Sequence, residues 1–210
     1  MTKQRWHKAV NAVLALSLAL MAVLLMPPKP ALASTGHMLM NTGSYTGNAT
    51  DDRAITGIGF TPDVVLVKGN TAAGAVVRTS TMTALNSKSL ISGGTYTTNR
   101  IKSLDSGGFT IGTDATVNSD TLTYYWVAFK AAAGELKVGS YSGAATAQEI
   151  TGVGFSPAYV WVMKRASASA NHATSSLSGT SMSFGTSDYQ DGITAMLADG
   201  FSVGTNSRVS

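Results

Sequence analysis

Ile55-Thr56-Gly57-Ile58-Gly59-Phe60-Thr61-Pro62 returns 95 positions later as Ile150-Thr151-Gly152-Val153-Gly154-Phe155-Ser156-Pro157. Upstream, Gly43-Ser44-Tyr45-Thr46-Gly47 returns as Gly139-Ser140-Tyr141-Ser142-Gly143, displaced by 96. Downstream, Gly108-Phe109-Thr110-Ile111-Gly112-Thr113 returns as Gly200-Phe201-Ser202-Val203-Gly204-Thr205, displaced by 92. Three blocks in the same order mean two copies of one unit, the second slightly shorter in its middle.

Inside a copy the pattern is strands and turns. Val64-Val65-Leu66-Val67 and Tyr159-Val160-Trp161-Val162 are short apolar runs after a proline, as expected of strands buried on both faces. Phe109 and Ile111 alternate with Thr110 and Gly112, which suits a strand with one face in a core. Tyr124 to Phe129 is the strongest strand, with Tyr125, Val127 and Phe129 on one face and Tyr124, Trp126 and Ala128 on the other. The Gly-x-Gly-Phe-x-Pro block is not a phosphate loop, because such a loop opens into a helix and here Pro62 and β-branched residues follow. It reads as the approach to a strand, with Gly57 and Gly59 supplying unusual backbone angles and Phe60 plugging the core. The fold class is therefore all-β: two tandem antiparallel β-sandwich modules.

The final displacement sets Ser210 opposite Asn118, so the second copy has no counterpart of Ser119 to Lys130 and lacks its last strand. Either the chain is the front of a longer repeat protein, the preferred reading, or a strand from elsewhere fills the gap.

The N-terminus reads as a signal peptide over residues 1–33. Lys3, Arg5 and Lys8 precede an apolar run from Ala9 to Met26, and Ala31-Leu32-Ala33 supplies a small-x-small cleavage pattern. An uncleaved anchor is the competing reading, since a run of about 18 residues reaches the lower limit for a bilayer span. The expected organisation is a first repeat over 34–130, a linker over 131–137 and a second repeat over 138–210. Beyond residue 33 the chain carries 11 basic and 11 acidic residues, and the basic ones form no run longer than the pair Lys164-Arg165. That balance argues against nucleic acid and against an anionic membrane surface as partners, and no stable membrane insertion is expected once the signal peptide is cleaved. With no cysteine, thiol chemistry and disulfides are excluded, and stability has to come from the packed core.

Several constellations suggest chemistry. Ser178-Gly179-Thr180-Ser181-Met182, Asp105-Ser106-Gly107 and His172 resemble the triad motifs of subtilisin-like proteases in chain order. However, His172 is followed by Ala173-Thr174, Met182 lacks the family's proline context, and Asp105 falls in a repeated turn. Asp114, Asn118 and Asp120 could present oxygens to calcium, but Asx turns explain the same residues. His37 has no evident partner. No cofactor and no metal site is expected. Tyr189, Trp126 and Trp161, with Tyr124 and Tyr159, could stack on sugar rings, although aromatic residues more often fill cores. Tyr189, in a polar stretch, is the best candidate for exposure.

The Gly43–Gly47 opening, Gly59-Phe60-Thr61-Pro62, Ser106-Gly107-Gly108-Phe109 and the Tyr124–Phe129 strand together resemble an uncharacterised tandem-repeat domain. That domain is associated with secreted multi-repeat bacterial proteins and phage tail-associated proteins. The resemblance implies a β-sandwich on a surface or tail, with no catalytic residues to carry over. The function expected is a non-catalytic extracellular repeat module for cell-surface structure or adhesion, with surface polysaccharide or neighbouring repeats as partners. A lectin-like module using the loops around 70–100 and 165–192 is the alternative, and a secreted hydrolase the remote one.

Overall fold

The computed structural model describes residues 36–91, 96–177, 179–185 and 188–210, with the backbone alone at Asp188 and Tyr189. The expected signal peptide and Ser178 lie outside the described residues. The first module is a two-sheet sandwich. Its larger sheet has the order β1 (Leu39–Thr46), β8 (Thr123–Lys130), β3 (Val64–Gly69), β4 (Val76–Thr79), β5 (Lys88–Ser89). Its smaller sheet has the order β2 (Arg53–Thr56), β7 (Gly108–Ile111), β6 (Ile101–Asp105), with a single turn of helix, α1 (Ala115–Asn118), after β7. Period-2 alternation sends Val65, Val67, Val76, Tyr124, Trp126 and Ala128 from one sheet against Ile55, Ile101, Phe109 and Ile111 from the other.

The second module repeats this plan. β9 (Gln148–Thr151), β15 (Gly200–Val203) and β14 (Ile193–Leu197) form its smaller sheet, with β15 in the middle as β7 is in the first. Even the irregularity recurs, since the register shift between Ile101 and Ser103 reappears between Ile193 and Ala195. The larger sheet runs β10 (Tyr159–Val162), β11 (Asn171–Thr174), β12 (Thr180–Ser183), β13 (Asp188–Gln190). β13 extends what is one isolated bridge, Ser87 to Thr97, in the first module. Among the described residues no strand takes the place of β8 beside β10.

The Gly-x-Gly block works by a different residue from the one expected. Gly57 and Gly59 have φ of 90° and 89°, and Gly152 and Gly154 have 81° and 89°, in the left-handed region that glycine tolerates. The two turns rotate the residue between them inward, so Ile58 is buried and its amide donates to the Gly107 carbonyl at 3.0 Å. Phe60 is only partly buried, packed against the same cluster.

A third apolar cluster joins the modules. Val64, Leu66, Val77, Met82, Leu90 and Phe129 on the outer face of the first module's large sheet meet Val138, Trp161, Met163, Ala170 and Phe184 of the second. This accounts for the doubly apolar β3: Val65 and Val67 fill the sandwich, whereas Val64 and Leu66 are covered by the neighbouring module. The linker is a tight turn, with the Glu135 and Leu136 amides both donating to the Ala132 carbonyl. Glu135 Oε1 also receives His37 Nδ1 at 2.5 Å, so His37 has a partner that its sequence context does not reveal.

Candidate functional site

The loops expected to vary for binding are the ones that hold the modules together. Leu90 O accepts from the Ala170 amide at 2.9 Å, Lys88 Nζ donates to Ala166 O at 3.0 Å, and the Arg165 guanidinium lies 5.9 Å from the centre of the Tyr96 ring. The stretches around 70–100 and 165–185 thus face one another. Their divergence between copies has a local cause as well. Arg78 is buried and its guanidinium donates to the carbonyls of Met82, Ala84 and Asn86, organising the loop between β4 and β5. Ala173 occupies the matching position and has no such reach, and its loop is shorter.

The triad candidates do not assemble. His172 pairs across the strands with Met182, and paired residues share a face of a sheet while neighbours along a strand take opposite faces. Ser181, next to Met182, therefore projects to the opposite face from His172. Ser181 is buried, and it occupies the position of Ser87, which is buried likewise and whose Oγ accepts from the Ile101 amide at 3.2 Å. Asp105 receives the Thr110 hydroxyl at 2.8 Å inside the hairpin of β6 and β7.

The calcium candidates are similarly occupied with backbone. Asp114 caps α1 by accepting from the Thr116 amide at 2.8 Å and pairs with Arg100 at 3.2 Å. Buried Asn118 donates to Thr50 O and Gly112 O and accepts from the Asn48 amide. Asp120 is exposed. Among the described residues no group of three or more His, Cys, Asp or Glu is arranged to hold a metal ion.

Of the aromatic candidates, Trp126 sits edge-on to Phe109 at 6.1 Å within the first core. Trp161 packs edge-on to Phe184 at 5.1 Å in the cluster between modules. Both rings are engaged in packing. The backbone of Tyr189 pairs with Ser181 at the position of Thr97, and its side chain lies outside the described residues. Sequence reasoning gave less weight to Tyr159, which is 50% exposed beside His172, the two rings 5.6 Å apart, and to Tyr125, which is 57% exposed on the outer face of β8. Alternation assigns each residue to a face but cannot say which outer faces a second module covers.

These features define a cysteine-free tandem β-sandwich protein whose polar side chains serve mainly to tie turns and loops. The chain belongs to the DUF7483 family, a domain of unknown function, which matches residues 35–138 and again 134–210. The paired match agrees with an uncharacterised repeated domain. No curated protein and no solved structure matches the chain.

Proposed function

We propose that this protein is a non-catalytic extracellular module of cell-surface structure or adhesion, its two repeats acting as one block. The observation that carries this reading is the shared use of polar residues in the two copies. Tyr45 and Tyr141 donate to the carbonyls of Val117 and Val209, Ser87 and Ser181 occupy one buried position, and Asp114 and Asn206 accept from the second amide that follows each of them. A catalytic residue acquired by one copy would stand out against this symmetry. The export reading of residues 1–33 supports placement outside the cytoplasm.

The glycan alternative draws support from the exposed Tyr159 and Tyr125 rings, since partly apolar rings at a surface suit sugar stacking. One set of measurements tests both readings. Surface labelling of intact source cells should detect the protein, and Ser181→Ala should leave peptide, ester and glycoside turnover at background. Ser181-dependent turnover, or a purely cytoplasmic location, would overturn the proposal. A glycan array with binding lost in Tyr159→Ala or Tyr189→Ala would replace it with the lectin-like reading.

A further inference from the structure

A lysine lies buried where the modules meet. Lys88, on β5, is 0% exposed, and its Nζ donates to Ala166 O of the second module at 3.0 Å. Two residues on, Leu90 O accepts the Ala170 amide, so the end of β5 and the loop after β10 meet along one line. Burying an ammonium is costly, and lysine is among the residues least often fully enclosed. Met182 stands in the matching position of the second module, so the fold itself does not demand a charge there.

The carbonyl that Lys88 reaches explains its presence. β3 and β10 correspond, and the loops that follow them, 70–75 and 165–170, are of equal length, so Ala166 stands where the first module has Thr71. Thr71 O is already taken, because Lys68 Nζ donates to it and to Gly69 O, each at 2.6 Å. The second module has Met163 in the place of Lys68, and it joins the apolar cluster between the modules. A thioether has no proton to donate. One loop carbonyl is thus tied from within its own copy in the first module and from across the contact in the second. Arg165 adds to the same asymmetry, its guanidinium lying 5.9 Å from the centre of the Tyr96 ring where the first module would offer Asn70.

We propose that Lys88 makes this face of the first module selective for its partner: it accepts a repeat of the second type and refuses one of its own type, the first module of another copy included. A second-type repeat presents an open carbonyl and no cation at the Met163 position. A first-type repeat would bring Lys68 to the same oxygen that Lys88 needs. Two ammonium groups within hydrogen-bond reach of one oxygen lie at most about 6 Å apart, where like charges repel and a buried one is screened least. A charge satisfied by the right partner and opposed by the wrong one is a means by which an interface excludes alternatives. This inference rests on the contact between the modules and is independent of the surface reading above.

The test uses the full chain in four forms: native, Met163→Lys, Lys88→Met and the double variant. Met163→Lys gives the second module the lysine of the first. It should lower exchange protection of the Ala170 amide, which bonds across the contact, by about tenfold or more while the β7 amides inside the first core keep theirs. Lys88→Met alone should cost less than Met163→Lys, because it removes one hydrogen bond and introduces no opposing charge. In the double variant the loop is tied from within, as in the first module, and protection should return to within about threefold of the native chain. Native protection in Met163→Lys overturns the proposal. So does a loss that Lys88→Met leaves in place, unfolding of the second module in both variants included.

Discussion

Asn171 stands where the first module has Val76, in the layer between two sheets. It is 0% exposed, and neither its Nδ2 nor its Oδ1 has a hydrogen-bond partner among the described residues. A buried amide without partners costs the desolvation of its polar atoms, about 1–3 kcal/mol in proteins. Asn171→Val restores the apolar residue of the first copy and should raise stability by about that amount, read by urea denaturation at neutral pH. A fall in stability would mean that the amide makes a contact the valine cannot. A second residue-level difference is an exchange. Asn99 and Asp114 in the first module correspond to Asp191 and Asn206 in the second, and in each copy the later amide donates to the earlier carbonyl. Asn99 and Asp191 also both accept from the amide of the threonine that precedes the later partner. The repeat makes these correspondences legible in the sequence. Their roles become legible only with the hydrogen bonds, because an Asx residue in a turn reads alike whether it binds an ion or an amide.

At the scale of elements, α1 is too short to stabilise itself and depends on its cap. Burial pushes the Asp114 carboxyl up. The Thr116 hydroxyl and amide, followed by Arg100, outweigh this and hold it below its ordinary range. A carboxyl lowered in the folded state contributes stability that is complete above the unfolded value, near pH ~4. The contribution drains away as pH falls through the lowered value. Asp114→Asn keeps an oxygen for the Thr116 amide but cannot take up a proton. It should cost less than about 1 kcal/mol at neutral pH and flatten the loss of stability between pH 5 and pH 2, measured by denaturation across that range. An unchanged acid limb would remove Asp114 as its source. The strands β3, β7 and β8 were plain in the sequence because β-branched and aromatic residues set their period. The core plug was misplaced by two residues, since nothing in Gly-Ile-Gly-Phe says that the glycines turn isoleucine rather than phenylalanine inward. The Ala132–Leu136 turn was read as a linker because composition carries no direction.

At the scale of the molecule, the contact between modules is an apolar cluster that covers Val64, Leu66 and Val77 on the outer face of the first large sheet and takes in Trp161 of the second. Cutting a large ring back to alanine in such a setting costs about 3–5 kcal/mol when the ring is fully buried. Trp161 is partly buried, so a smaller loss is expected. The native chain should melt in one calorimetric transition, and Trp161→Ala together with Leu66→Ala should divide it into two, with the second module melting first because its sheet is the less complete. One sharp transition in the double variant would show that the modules are coupled by other means. The facing surfaces also set the terms on which the two copies can diverge. Most residues inside each sandwich are alike in the two copies, Val76 and Asn171 excepted, whereas residues on the shared face answer only to one another: Trp161 stands where the first module has Leu66, and both lie in the cluster between the modules. The halves of this duplicated chain are thus no longer interchangeable parts, and a chain assembled from two first halves would bring together a pair of surfaces that never adapted to each other.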